Sequence, residues 1–161
     1  VGEVDQGWTI AKYLLTHERE MIGGMGRTAA GQKTLAQLAV DAVGLEHGRL
    51  ADSMLRSQVA RWDLDAKAFE LTAERVVDEA KAGQGVGAAS AMLKYYGTEL
   101  NKRRYELLMA LNGSDAMVWE GEAWNDGDLP RQWLRTKGNS IEGGTSEIQL
   151  NVIAKNILGL G

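Results

Sequence analysis

The residues best equipped for chemistry lie near the two ends of the chain. Close to the C-terminus, "NSIEGGTSEIQ" sets Glu142 before Gly143 and Gly144 and follows them with Thr145, Ser146 and Glu147. Adjacent glycines let the backbone take positive φ and let a ligand approach the main chain with no Cβ in the way. Ser146 and Gln149 have the spacing of a capping box, with Thr145 just before it, so a helix is expected to open there. Its first turn would present free amides together with the Thr145 and Ser146 hydroxyls, a donor-rich place for a phosphate or a polar ring edge. Glu147 suits the positive end of the helix dipole. Near the N-terminus, "THER" puts Glu18 on one helical stripe with Leu14 and Ile22. A carboxylate on an apolar stripe is poorly solvated, and its pKa rises toward that of a useful base. Each acid also has a plain reading: Glu142 as a solvated loop acid, and Glu18 as a surface partner of Arg19 or a nearby lysine.

The elements that must position these groups follow from periodicity. From about Gln6 to Met25, apolar residues recur at steps of three and four through Trp8, Ala11, Leu14 and Ile22, which predicts a helix. A shorter segment carries Leu35, Leu38, Ala39 and Ala42 on one stripe and ends at Gly44, a C-terminal cap. The strongest pattern runs from about Leu50 to Ala82, where Leu55, Val59, Trp62, Ala66, Phe69, Ala73 and Val76 alternate by four and three. A second long helix is expected from Ala88 to Leu111, antiparallel to the third across "GQGVG". Ser114–Pro130 is acidic and without period and is read as a loop. A turn or two of helix follows in "RQWLRTKGNS", and the terminal helix is expected to anchor through Ile148, Val152, Ile153 and Leu158. Trp8 and Trp62 are assigned to the core. The predicted fold is all-α, an up-and-down four-helix bundle with a C-terminal capped helix.

Composition narrows the function. The chain has 161 residues, enough for one domain with a real core. A formal charge of −4 argues against a nucleic-acid partner, and no apolar run approaches a membrane span. Without cysteine, and with only His17 and His47, no metal site is expected; the lack of disulfides fits a reducing, cytoplasmic setting. The opening "VGEVDQGW" has neither an initiator methionine nor a signal pattern, so the chain reads as a fragment or processed product.

"IEGGTSEIQLNVIAKNILGLG" resembles the C-terminal signature of the acyl-CoA dehydrogenase family. "VGEVDQGWTIAKYLLTHER" resembles that family's passage from its central β domain into the C-terminal bundle. The segments between, including "LADSMLRSQVARWDLDAKAFELTAERV" and "MLKYYGTELNKRRYELLMALNG", resemble its bacterial branch in style. The resemblance spans nearly the whole chain as the C-terminal third of a usual member. It implies that residues 1–161 are the helical bundle, with residues 1–6 the end of the β domain.

It further implies an FAD held between that β domain and the bundle, and oxidation of an acyl-CoA to the trans-2-enoyl-CoA. A carboxylate takes the α-proton while the β-hydrogen leaves as hydride, and amide donors at the glycine turn, here that of Gly143, stabilise the developing enolate. Many members carry the base in the turn as Tyr-Glu-Gly-Thr. Anchored on Thr145, Ile148 and Gln149, that register puts Gly143 at the base position and Glu142 one residue early. Another branch places the base on the first helix in a Glu-Arg pair, which Glu18-Arg19 matches. The resemblance thus makes Glu18 the expected base and Glu142 the second choice. It puts His17, Arg19, Gly143 and Gly144 on the substrate side and Thr145, Ser146 and Glu147 on the cofactor side.

The family's Arg-x-x-Phe-Gly segment has no counterpart in "AGQKTLAQLAVDAVG", and its Gln-x-x-Gly-Gly segment is reduced to Asn112-Gly113. Leu150 stands where arginine is common. These departures suggest a divergent subunit in a homo- or hetero-oligomer. The expected partners are an acyl-CoA and an electron-transfer flavoprotein. The competing readings are an acyl-CoA oxidase and a non-catalytic helical scaffold subunit.

Overall fold

The computed structural model describes residues 2–14, 33–121 and 124–161. Among them the fold is all-α, the only bridge being an isolated one between Glu46 and Arg49. The helices are α1 (helical over 7–14), α2 (Leu35–Val43), α3 (Ser53–Lys81), α4 (Ala89–Asn112), α5 (Trp124–Asn139) and α6 (Ser146–Asn156), with a 3-10 helix at Gly113–Met117 after α4.

Local chemistry sets the boundaries. Thr34 and Gln37 form a reciprocal capping box at the start of α2, and Gly44 ends that helix with φ of 72°. The Asp52 carboxylate accepts from the amides of Met54 and Leu55 at 2.8 and 3.0 Å, which opens α3. Along α3 the expected stripe is the buried one: Val59, Trp62, Phe69, Ala73 and Val76 all face inward. The Trp62 indole donates to the Leu100 carbonyl at 2.9 Å and so fixes α3 against α4. Arg103 reaches Asp65 at 2.8 Å and Phe69 stacks on Tyr96, pairings that run in opposite directions along the two helices. The pair is antiparallel, as the short Gly-rich link requires.

The centre of the fold is α4, which packs against α2, α3, α5 and α6. One of its sides joins an apolar core of Leu35, Val59, Trp62, Phe69, Leu100 and Leu108 with Leu129. The other side is polar, yet Ser90, Lys94 and Thr98 are buried there. A helix covered all round has no single apolar stripe, and α4 buries Leu100, Leu108 and Leu111 as well as Ser90, Lys94 and Thr98.

Three expectations are corrected. The end of the region read as loop, residues 124–130, belongs to helix α5, and its start lies in the 3-10 helix. Asp126 and Gly127 keep φ of 59° and 81° within the first turn of α5, ahead of Pro130 inside the helix, and Gly127 lies against the Trp119 backbone. The helix therefore hides behind turn-forming residues. Ile148 on α6 and Leu158 just beyond its end are exposed rather than anchoring; the residue buried on α6 is Gln149. Trp8 is 71% exposed and is no core residue. No helix among the described residues is long and apolar enough to cross a membrane.

Candidate active site

The glycine turn connects α5 to α6, and it is held from beneath by the polar side of α4. Gly143 and Gly144 have φ of 65° and 99°, a left-handed backbone that side-chain-bearing residues rarely adopt. A Cβ at Gly144 would stand 2.7 Å from Gln149 Nε2, so a side chain there would push the Gln149 amide off the turn as well as strain the backbone. Gln149 Nε2 donates to the carbonyls of Gly143 and Gly144 at 2.9 and 3.2 Å. The buried ammonium of Lys94 donates to the Gly144 carbonyl at 2.7 Å. Both turn carbonyls are thus drawn inward. In a trans peptide the N–H points opposite to the C=O, so the amides of Gly144 and Thr145 face away from Lys94 and Gln149.

Thr145, not Ser146, is the N-cap of α6, its hydroxyl accepting from the Ile148 amide at 3.4 Å. The expected capping box does not form: the cap lies one residue earlier, and the third residue after it is the apolar Ile148. That shift turns Gln149 inward to the turn carbonyls and frees Ser146 to donate to Glu99 Oε1 at 3.2 Å. Ser140, on the other side of the turn, donates to the same oxygen at 3.2 Å, and Lys102 reaches both Glu99 oxygens at 2.9 Å. One carboxylate on α4 therefore gathers both flanks of the turn. Burial pushes the Glu99 carboxyl upward, but Lys102 and the two serine hydroxyls outweigh it, and the group is held below its ordinary value.

Glu142 is engaged within its own segment. Arg135 Nη2 donates to its two oxygens at 3.0 and 2.9 Å, and Asn139 Nδ2 donates to Oε1 at 2.6 Å. Arg135 and then Asn139 hold the Glu142 carboxyl below its usual range. Asn139 accepts in turn from Asn101 of α4 at 3.3 Å. Glu147 is exposed, and its own backbone N–H and the Thr145 hydroxyl lower its pKa.

Gly143, Gly144, Thr145, Ser146 and Glu147 thus stand together at one turn, with Glu142 beside them and turned to Arg135. His17, Glu18 and Arg19 lie outside the described residues. Lys94 and Glu99 escaped the sequence reading, and Gln149 entered it only as a capping-box and register residue. For Lys94 the signal was the recurrence of Ser90, Lys94, Thr98 and Asn101 on one face of α4, at spacing that an exposed polar face shares.

The turn offers its own test of whether a flavin and a thioester suit it. Two outward amides, with no acceptor among the described residues, and a backbone bare of Cβ on its close side suit an anionic oxygen or a polar ring edge. The hydroxyls of Thr145 and Ser146 take part in internal bonds but keep lone pairs for further contact. These residues fit the group.

Residues 5–158 match the family model described as the acyl-CoA dehydrogenase C-terminal domain. The chain is 30% identical to the acyl-CoA dehydrogenase FadE34 of Mycobacterium tuberculosis, over 99% of this chain and 20% of that protein. It superposes on the structure described as the Tcur3481-Tcur3483 steroid ACAD with a TM-score of 0.78 at 24% identity, covering 100% of this chain and 41% of that one. The ChsE4-ChsE5 complex of Mycobacterium tuberculosis gives a TM-score of 0.71 at 24% identity, covering 100% and 42%. The chain spans between a fifth and about two fifths of the length of the curated relatives it matches.

Proposed function

The chain belongs to the acyl-CoA dehydrogenase family, and from that premise we propose that it is the helical C-terminal part of an enzyme oxidising an acyl-CoA to the trans-2-enoyl-CoA. The observation that carries this reading is the match over residues 5–158 together with the outward-facing amides of the Gly143-Gly144 turn. FAD, when bound, supplies the hydride acceptor; Thr145, Ser146 and Glu147 are the residues assigned to hold it.

The rest is the work of the chain. Glu18 takes the α-proton, and the electron pair left behind moves onto the thioester oxygen. The turn amides meet that oxygen, donors already fixed before charge develops and so costing no reorganisation. Glu142 stays ionised in its contacts with Arg135 and Asn139, which suits a structural acid better than a base poised near neutrality. An electron-transfer flavoprotein takes up the electrons, and the intact protein is an oligomer.

Glu18→Gln in the intact enzyme is expected to lower kcat by about a thousandfold or more, while Glu142→Gln lowers it by less than about tenfold. Equal losses from the two substitutions would remove Glu18 from the role. A second reading, a subunit that scaffolds a catalytic partner, is favoured by the same engagement of Glu142. It predicts that neither substitution changes turnover of the assembled enzyme.

A further inference from the structure

Lys94 has no part in the reading so far, yet its placement is unusual. It is fully buried on α4, where an ammonium costs desolvation energy, and its Nζ lies 2.7 Å from the Gly144 carbonyl, fifty residues along the chain. Gln149 is also fully buried; its Nε2 serves both turn carbonyls while its Oε1 has no hydrogen-bond partner. Rotating this amide would set Oε1 against two carbonyl oxygens, so the orientation is fixed by the turn, and the orphaned oxygen is accepted for its sake.

We infer that Lys94, with Gln149, is a positioning residue that aims and polarises the amides of Gly144 and Thr145 toward the developing thioester enolate. This rests on the functional reading above. The peptide unit joining Gly144 to Thr145 has its oxygen on the Lys94 ammonium and its N–H on the opposite side. A cation on the carbonyl draws electron density from the nitrogen and strengthens that N–H as a donor. Gln149 acts in the same way on the unit joining Gly143 to Gly144. As the α-proton leaves, the electron pair shifts to the thioester oxygen, and these donors gain most of their strength at that moment. The sequence register had given the donor role to Gly143. The inward carbonyls bear on the next two amides, those of Gly144 and Thr145, and leave the Gly143 amide where the register put it.

The test uses the purified holoenzyme and an acyl-CoA with sulfur in place of its β-methylene, in several chain lengths. The sulfur acidifies the α-proton, and the anion gives a long-wavelength charge-transfer band with oxidised flavin, so a pH titration of the band reads the bound ligand's α-proton pKa. Lys94→Met and Gln149→Leu are expected to raise that pKa by about one unit or more and to cut kcat by about ten- to a hundredfold, with KM changed less than about threefold. Lys137→Met, which removes a cation paired with Glu106 away from the turn, is expected to leave the ligand pKa unchanged. Flavin content and thermal unfolding qualify each variant, and should Lys94→Met not fold, Gln149→Leu carries the test. A ligand pKa identical to wild type in both variants overturns the inference and leaves the functional reading standing. No band in the wild-type holoenzyme with any chain length overturns both.

Discussion

Glu99→Ala releases both flanks of the glycine turn at once, and its cost can be worked out from the contacts. The two serine hydroxyls donate to Glu99 Oε1 at 3.2 Å, long for bonds to a carboxylate. Each is taken as worth about 1 kcal/mol, below the usual value for a bond to a charged acceptor. The Lys102 pair, 24% and 30% exposed, adds about 0.5–1 kcal/mol. The total is about 3 kcal/mol, which for a chain of this size lowers Tm by roughly 6–12 °C. A double-mutant cycle separates the parts: in a Ser140→Ala/Ser146→Ala background, Glu99→Ala is expected to cost only about 1 kcal/mol, leaving about 2 kcal/mol of coupling. Thermal unfolding followed by circular dichroism supplies all four Tm values. The same loss in both backgrounds would refute the claim that Glu99 works by gathering the turn.

Other expectations follow from single contacts. Gly127→Ala places a Cβ 2.1 Å from the Trp119 carbonyl oxygen at a φ of 81°. It is expected to cost about 2–4 kcal/mol, against about 1 kcal/mol for Gly44→Ala, where φ is equally positive but the space is open; equal Tm losses would contradict the packing argument. Trp62→Phe loses the indole bond to Leu100 and part of the ring volume, about 1–3 kcal/mol by chemical denaturation. Glu142 has a folded pKa below its ordinary value, so its contacts stabilise fully above the unfolded carboxylate pKa and are lost as pH falls through the depressed one. The Tm difference between wild type and Arg135→Met should therefore be largest near neutrality and shrink as the pH drops below about 4. A difference constant with pH would show that Arg135 acts by packing alone.

The long elements were legible because one face carried the signal. On α3, residues from Val59 to Val76 keep strict helical spacing, and that spacing is what the core selects. The region of α5 was not legible, because Asp126, Gly127 and Pro130 spell a loop, and its buried positions after Leu129 include Thr136 and Asn139, which no hydrophobic scale marks. The same applies to the site. Gly143 and Gly144 announce a turn by their own chemistry, but the groups that hold it are a lysine and a glutamine. Sequence alone places such residues on the surface, and only the covering of α4 by α5 and α6 buries them. Thr145 displaced Ser146 as the cap for a related reason: both hydroxyls suit the position, and Glu99, forty-seven residues earlier than Ser146, decides between them.

The central claim, that this bundle belongs to a flavin-dependent enzyme acting on acyl-CoA thioesters, is tested most directly by anaerobic titration of the intact protein, with any subunit that co-purifies, against a panel of acyl-CoAs. The account predicts a bound flavin whose absorbance bleaches with at least one member of the panel, with formation of the matching trans-2-enoyl-CoA. A protein that carries no flavin, or whose flavin stays oxidised with every acyl-CoA, would contradict it.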